Sequence, residues 1–189
     1  LMEWQKRICN DALTVDADGD FVFREACVST ARQNGKSLVM RAVAGFMATE
    51  YAALRKEPQS VVIVANQKRR SMALFRDVVR DLDEKFECKV RWQNGDERIN
   101  FPDGSSISVV AASAHAHGMT ASVLLVDEVW DISPEVVFTA LRPSQIAVKN
   151  PMMMMFSTAG DQGSTVLQQL REQGIAAIDS GTQGALYFA

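Results

Sequence analysis

Hydrophobic positions recur along this chain with two different periods. Short apolar runs are typical of buried strands, and they lie at 21–23, 26–28, 61–64, 123–126 and 152–156. Apolar residues with helical spacing occur from 37 to about 54, at 68–86 and at 134–141. Because strands that alternate with helices form right-handed crossovers, this order predicts an α/β fold with a mainly parallel central sheet and helices on both faces.

Between residues 88 and 112 the period changes to two. Polar and apolar residues alternate in Lys89–Trp92 and again in Arg98–Phe101, and the turn-forming sequence Pro102–Gly104 precedes an apolar run at 107–111. Alternation of this kind indicates strands with one exposed face. We therefore predict a β-hairpin insertion in the parallel sheet.

The composition is that of one globular domain. The chain has 189 residues, 47% hydrophobic and 23% charged, so 1–189 is interpreted as a single domain. A net charge of −3 excludes a global positive field that would draw it onto nucleic acid or an anionic membrane. The longest apolar runs are far shorter than the ~20 residues that span a bilayer, which predicts that no transmembrane helix is present.

Three cysteines and the end of the chain add two expectations. Cys9, Cys27 and Cys88 are odd in number and widely spaced, which favours a reducing compartment over a disulfide scaffold or a zinc site. Residues 185–189 have the pattern of a strand that is cut short, so we expect a fragment of a longer protein. The four methionines at 152–155 fall in a predicted buried strand and are interpreted as core.

A polar loop between the first strand and the first long helix fits a phosphate-binding loop. Gly35 can let backbone N–H groups approach a phosphate, Lys36 can bridge the β- and γ-phosphates, and Ser37 can ligate Mg²⁺. A threonine stands where the usual pattern has its first glycine, so a chance Gly-Lys-Ser at a helix start is the alternative. The candidate nucleotide-binding residues in this loop are Thr30, Ala31, Arg32, Gln33, Asn34, Gly35, Lys36 and Ser37.

A pair of carboxylates follows the apolar run at 123–126. Asp127 and Glu128 stand at the carboxyl end of a predicted buried strand, the edge at which α/β sheets bind their ligands. Asp127 would order Mg²⁺ through its water shell, and Glu128 would activate the attacking water as the catalytic base. Taken alone, the pair could be a helix cap or surface charge. Together with the loop around Lys36, it predicts a nucleotide hydrolase.

These two segments resemble the ATPase domain of the large terminase subunit, the motor that packages DNA into tailed bacteriophage capsids. The resemblance covers most of the chain, and its most specific part is Ala31–Ser37, because terminases carry an arginine in a glycine-poor phosphate loop. It implies a phosphate-loop NTPase fold of the ASCE or RecA-like type, with ATP and Mg²⁺ as cofactors. It also implies that Arg32 acts near the phosphates of its own subunit.

The resemblance implies partners and a place of action as well. They are double-stranded DNA, which is moved into a procapsid, the portal protein and the small terminase subunit, with a homo-oligomeric ring as the active form and no membrane. The expected location is the cytoplasm of the infected bacterial host. A C-terminal nuclease domain would follow in the full protein, so nuclease activity is not expected of these 189 residues.

Two further groups of residues are assigned through the resemblance. Trp4 and Gln5 look like the segment that reads adenine, although an isolated pair of this kind near a terminus is more often ordinary packing. Ser157, Thr158 and Ala159 are similar to the motif that couples loss of the γ-phosphate to movement. A hydroxyl-capped turn is an equal alternative for these three residues when they are considered alone.

One expected element is missing from its usual place. Terminases complete their site with an arginine from a neighbouring subunit, in some members shortly before the second strand motif, but the corresponding stretch 114–119 has no arginine. We therefore name Arg142 as the candidate trans arginine. His115 and His117 in this stretch are interpreted as solvated residues, since no cysteine or acidic ligand accompanies them.

Two local groups of cations could contact a phosphate backbone or an adjoining subunit, although solvated surface is an equal alternative. The first group lies on the predicted helix at 68–86 and comprises Lys68, Arg69, Arg70, Arg76 and Arg80. The second lies around the hairpin, beside a tryptophan that could stack on a base, and comprises Lys89, Arg91, Trp92 and Arg98.

Two other functions compete with the packaging motor. A helicase-type DNA-dependent ATPase would share the glutamine, the phosphate loop and the paired carboxylates. A nucleotide-binding switch that hardly hydrolyses would share the loop, but it has no need of a placed base such as Glu128. The sequence thus predicts an ATPase and leaves the type of motor to the resemblance.

Overall fold

The structure is a computed structural model that describes residues 1–112, 119–180 and 186–189. Its described strands are β1 (Glu25–Ser29), β2 (Ser60–Ala65), β3 (Lys89–Gln93), β4 (Asp96–Asn100), β5 (Ser106–Ala111), β6 (Val123–Asp127), β7 (Met152–Ser157) and β8 (Leu186–Phe188). They form one sheet in the order β3-β4-β5-β2-β6-β7-β1-β8. Every pairing from β5 to β8 is parallel, which confirms the predicted α/β fold with a mainly parallel sheet.

The insertion between residues 88 and 112 extends the sheet at one edge. Strands β3, β4 and β5 are antiparallel neighbours, and β5 also pairs in parallel with β2. The predicted hairpin is therefore present, and its last strand joins it to the parallel part of the sheet. A tight turn at Gly95, with φ of 88°, connects the first two of these strands.

Five α-helices are described, namely α1 (Glu3–Ala12), α2 (Lys36–Phe46), α3 (Ala52–Arg55), α4 (Lys68–Leu82) and α5 (Thr165–Ser180). A π-helical turn, Met47–Tyr51, joins α2 to α3, so the helix predicted for 37–54 is one continuous rod with a wider turn. The segment predicted as a helix at 134–141 winds as a π-helix over Val136–Leu141 and continues as a 3₁₀ turn, Arg142–Gln145. In the described part of the chain, no helix has the length and apolar character needed to cross a membrane.

Two apolar cores cover the two faces of the sheet, because successive side chains of a strand point to opposite faces. Val61 and Ile63 of β2 pack in one core with α2 and α4, whereas Val62 and Val64 pack in the other with the π-helical segment and α5. The methionines of β7 divide in the same way, 152 and 154 on the first face and 153 and 155 on the second, and all four are buried. They fill core, as predicted.

Several element boundaries differ from the sequence prediction. Phe21 forms only an isolated bridge with Val15 and stacks on Tyr51 at a centroid distance of 5.1 Å, so β1 begins later, at Glu25. Helix α4 ends at Leu82 rather than at residue 86, because residues 83–86 turn back toward it. Helices α1 and α5 are additions that the apolar pattern had not indicated.

A candidate nucleotide-binding site at the carboxyl edge of the sheet

Three parallel strands deliver the predicted site residues to one edge of the sheet. Strand β1 leads into the loop at 30–35, β6 ends at Asp127, and β7 lies between them and ends at Ser157. Parallel strands end at the same edge, which is where open α/β sheets bind ligands. The strand inserted between β1 and β6 leaves a gap that a triphosphate and a water can share.

The loop after β1 turns into α2 through a glycine in the left-handed conformation. Gly35 has φ of 83° and serves as the N-cap of α2, which begins at Lys36. A Cβ atom at Gly35 would lie 2.5 Å from Nε2 of Gln5. That amide nitrogen donates a hydrogen bond to the carbonyl oxygen of Gly35 at 3.1 Å. A side chain at this position would therefore meet both backbone strain and a steric clash.

Replacing Gly35 with alanine is expected to destabilise the domain more than the same change at Gly95. Both glycines have a positive φ, which costs about 1–2 kcal/mol for an L-residue. A Cβ at Gly95 has open space, so only Gly35→Ala adds the clash with Gln5. Chemical denaturation of the two variants measures the difference in their free energies of unfolding. Equal losses for Gly35→Ala and Gly95→Ala would contradict the proposed contact.

Lys36 lies opposite the second carboxylate of the pair. Its Nζ atom is 3.0 Å from Oε1 of Glu128, and its side chain is only 9% exposed. The first turn of α2 and the end of β6 thus meet face to face. The two motifs that the sequence predicted to cooperate are in direct contact.

Glu128 is held by three neighbours in this structure. Besides the ion pair with Lys36, its Oε2 accepts hydrogen bonds from Nε1 of Trp130 at 2.7 Å and from the hydroxyl of Thr158 at 3.0 Å. The backbone N–H of Thr158 donates to the same oxygen at 3.2 Å. Burial acts to raise the pKa of Glu128, but the bonds from Lys36 and Thr158 outweigh it, and the pKa is lowered. The carboxylate is therefore ionised and fixed in direction.

Asp127 has the opposite electrostatic setting. Burial and the neighbouring charge of Glu128 raise its pKa, and the cations Lys36 and Arg70 offset part of that rise. A divalent cation would relieve this strain on the carboxylate. Ser37, the next residue of α2 after Lys36, adds a hydroxyl, and oxygen donors of this kind are the ligands that Mg²⁺ prefers. The residues present therefore fit the expected metal.

A cavity of about 270 Å³ joins these groups. It is lined by Arg32, Gln33, Lys36, Arg70, Asp127, Glu128, Trp130 and Thr158. Gln33 and Glu128 are two of three non-glycine residues with positive φ in the described part of the chain. Strained backbone of this kind is often retained at functional sites. The cavity therefore gathers cations, carboxylates and strained backbone at one place.

The structure brings the remaining loop residues together only in part. Asn34 donates from Nδ2 to the hydroxyl of Thr30 at 2.8 Å, which closes the loop on itself. Arg32 is exposed and lines the cavity, as its expected place near the phosphates requires. Ala31 is exposed as well.

The two residues predicted to read adenine face inward instead. Gln5 is fully buried, and its amide is engaged at both ends, since Oε1 accepts from the backbone N–H of Met2 at 2.7 Å and Nε2 donates to Gly35. Trp4 is half-buried against the first core. In this conformation Gln5 supports the phosphate loop, and its contact with adenine stays a prediction.

The expected coupling residues touch both halves of the site. The carbonyl oxygen of Ser157 accepts a hydrogen bond from the backbone N–H of Thr30 at 3.1 Å, and Thr158 binds Glu128. Ser157 and Thr158 are buried, whereas Ala159 is exposed. The end of β7 thus contacts the phosphate loop on one side and the candidate base on the other.

Arg142 is not brought to this edge. Its Nε is 2.7 Å from Oε1 of Glu25, its guanidinium also donates to Oε2 at 2.8 Å, and it stacks over the ring of Phe138 at 4.6 Å. Glu25 begins β1, so the pair lies at the end of that strand farthest from the phosphate loop. This gives Arg142 a structural role within the chain, and its role in a neighbouring site stays a prediction.

Residues that the resemblance had placed elsewhere also need a location. His115, His117 and the arginine-free stretch up to residue 118 lie outside the described residues. Around the hairpin, Arg91 and Arg98 both pair with Asp96, and Trp92 packs edge-on against Phe75. Their contact with DNA is untested.

Two residues of the cavity were missed as site residues. Trp130 donates its indole N–H to Glu128, and Arg70 had been grouped with the cations of α4 as a surface feature. A tryptophan two residues after a paired carboxylate is a weak sequence signal. For Arg70 the useful signal was its distance from the end of β2, because the first turn of the following helix lies at the same sheet edge.

A phosphate loop, a lysine facing a carboxylate, and a strand inserted between the two motif strands define a phosphate-loop NTPase of the ASCE type. Residues 3–174 match the family described as "Terminase large subunit, ATPase domain". The chain belongs to this family and is an ATPase domain of the terminase type. Comparison with curated proteins finds no match.

Solved structures of large terminases share the fold. The large terminase of bacteriophage HK97 matches with a TM-score of 0.78 and 15% identity over 100% of this chain and 38% of its own. The large terminase of a thermophilic bacteriophage, in complex with ATP-gamma-S, matches with a TM-score of 0.69 and 12% identity over 99% of this chain and 43% of its own. The chain thus spans less than half the length of these two proteins.

A separately solved ATPase domain gives a third comparison. The large terminase ATPase domain of Thermus phage P74-26 matches with a TM-score of 0.57 and 18% identity over 75% of this chain and 62% of its own. At identities this low the likeness concerns the fold.

Proposed function

We propose that this domain hydrolyses ATP at the carboxyl edge of its sheet, and that the larger protein uses the released energy to package double-stranded viral DNA into a procapsid. One observation carries the proposal. Lys36 and Glu128 face each other at 3.0 Å across a cavity that Asp127 also lines. Hydrolysis requires a group that holds the phosphates and a group that activates water, and both are aimed at the same space.

The phosphate loop holds the triphosphate. Gly35 leaves room for phosphate oxygens beside the backbone, the N-terminus of α2 offers its free N–H groups, and Lys36 neutralises the β- and γ-phosphates. Ser37 and Asp127 would hold Mg²⁺, which when bound neutralises charge on the phosphate oxygens. Arg32 reaches the same cavity and supports the phosphates from the loop side.

Glu128 directs the attacking water. Water adds to the γ-phosphorus as the bond to the β,γ-bridging oxygen breaks, which yields ADP and inorganic phosphate. The carboxylate accepts a hydrogen bond from that water and orients it. Before nucleotide binds, Lys36 occupies one carboxylate oxygen. ATP draws this lysine toward its phosphates and leaves Oε1 of Glu128 for the water.

Thr158 connects the chemistry to movement. It donates two hydrogen bonds to Glu128, and its neighbour Ser157 accepts one from Thr30 of the phosphate loop. A change in the position of Glu128 after phosphate loss therefore reaches the turn at 158–160 directly. Ser157, Thr158 and Ala159 are proposed as the coupling segment on this ground.

The family supports ATP as the nucleotide and DNA as the polymer. The thermophilic phage terminase was solved with ATP-gamma-S, and a further crystal form with ADP. By the same relationship we propose the portal protein and the small terminase subunit as partners, a homo-oligomeric ring as the active form, and the host cytoplasm as the location. A helicase-type motor would use the same groups, and membership in the terminase family favours packaging.

Turnover is expected to depend on assembly. No arginine of a second subunit is present in one chain, and such an arginine contributes about 10³-fold or more in related enzymes. We expect slow ATP hydrolysis by the dilute chain and a rate per subunit that rises with protein concentration and with added double-stranded DNA. Phosphate release measured over a concentration series tests this. Absence of Mg²⁺-dependent hydrolysis at every concentration would contradict the proposed function.

A further inference from the structure

Arg70 lies beside the carboxylates of the candidate site. It is the third residue of α4, which begins just after β2 ends. Strand β2 pairs with β6 in a register that sets Ala65 opposite Asp127, so the first turn of α4 lies next to the carboxyl end of β6. The side chain of Arg70 lines the same cavity as Lys36 and Glu128.

The three successive cations at the start of α4 have different surroundings. Lys68 is drawn to the hairpin, where its Nζ is 3.0 Å from Glu97 and 2.7 Å from Asn94. Arg69 is exposed and is absent from the cavity lining. Arg70 alone of the three reaches the cavity. The group that the sequence suggested as one surface patch therefore divides into residues with separate roles.

Arg70 has no hydrogen bond or ion pair with any residue in the described ranges, and its five N–H donors are free. Its one recorded electrostatic interaction is with Asp127. Lys36, in contrast, is already paired with Glu128. Arg32 and Arg70 are thus the cations around the cavity that are available to an incoming anion.

The two arginines approach the cavity from opposite sides. Arg32 follows β1 and Arg70 follows β2, and β7 and β6 lie between these strands. Neighbouring strands are about 4.8 Å apart, so the two backbones are separated by roughly 14 Å in the plane of the sheet. A triphosphate held by the loop after β1 extends its terminal phosphate toward β6, and therefore toward Arg70.

We infer that Arg70 binds the terminal phosphate of the nucleotide in its own subunit, opposite Arg32, and so distinguishes ATP from ADP. This inference rests on the proposed function. A guanidinium group matches two phosphate oxygens at once and stabilises the charge that develops on them during transfer. Arg70 thereby becomes a catalytic residue that the chain itself supplies, separate from any arginine donated by a neighbour.

Two substitutions test the inference. Arg70→Ala is compared with Arg69→Ala, which removes the adjacent cation of α4 outside the cavity. Dissociation constants for ADP and ATP-gamma-S are measured with Mg²⁺ for the unmodified chain and both variants. We expect Arg70→Ala to weaken ATP-gamma-S by about 10- to 100-fold and ADP by less than about twofold. Arg69→Ala leaves both constants unchanged, and Arg70→Lys recovers part of the preference.

Each result has one meaning. Equal weakening of ADP and ATP-gamma-S, or no change in either, overturns the inference, because a structural or distant role would not alter the ratio of the two constants. Loss of DNA stimulation with an unaltered ratio assigns Arg70 to the DNA surface and overturns it as well. If the unmodified chain binds neither nucleotide, the proposed function itself fails.

Discussion

Glu128→Gln is expected to stop ATP turnover while nucleotide binding persists. The substitution keeps the shape of the side chain and removes its charge and basicity, which lowers the rate by about 10²- to 10⁴-fold if Glu128 activates water. It also dissolves the ion pair that holds Lys36 before nucleotide arrives. We therefore expect ATP-gamma-S to bind as tightly as in the unmodified chain, or more tightly.

A matched control and a clear contrary result accompany this change. Glu135→Gln removes one negative charge from an exposed position without an ion pair among the described residues, and it should leave turnover and binding unaltered. Turnover is measured as phosphate released under saturating ATP, and binding by titration with ATP-gamma-S. Normal turnover in Glu128→Gln would remove the carboxylate from the mechanism and leave a nucleotide-binding switch as the better assignment.

Lys36→Ala has the other large effect, and it acts on binding first. The ammonium group is the buried cation at the start of α2, where the phosphates are expected. Loss of its charge-assisted hydrogen bonds is expected to weaken ATP-gamma-S by about 10²-fold or more and to abolish turnover. The substitution also leaves Glu128 without its cation, so the pKa of that carboxylate rises.

The double variant separates the two functions of this lysine. If part of its effect acts through Glu128, Lys36→Ala combined with Glu128→Gln should bind ATP-gamma-S better than the sum of the single effects predicts. Lys85→Ala, an exposed position on the turn after α4, is the control for loss of a lysine. Unchanged affinity in Lys36→Ala would place the nucleotide elsewhere.

The motifs could be predicted from sequence because each is local. Gly35, Lys36 and Ser37 are consecutive, and the same is true of Asp127 and Glu128, so a strand pattern followed by the right residues was sufficient. Their meeting at 3.0 Å also followed from the fold class, since parallel strands end at one edge. The alternating packing of β7 on both faces followed from its uninterrupted apolar run.

Other features depend on tertiary contacts that a single sequence does not encode. Gln5 is engaged by Gly35, which lies 30 residues away, and nothing in the sequence around Gln5 indicates that its amide faces inward. Arg142 pairs with Glu25, although the two are 117 residues apart. Arg70 differs from Arg69 only in the direction that the first turn of α4 gives it. Helix propensity likewise gives no sign of the wider turn at Met47–Tyr51.

The position of β7 has a mechanical consequence. Two consecutive residues at its end, Ser157 and Thr158, are bonded to the loop that holds the phosphates and to the carboxylate that faces the water. The strand itself is clamped on both sides by parallel neighbours and cannot slide freely. The first displacement of a power stroke must then occur beyond the sheet, in the turn at 158–160. That turn acts as the pivot from which α5 carries motion away from the site.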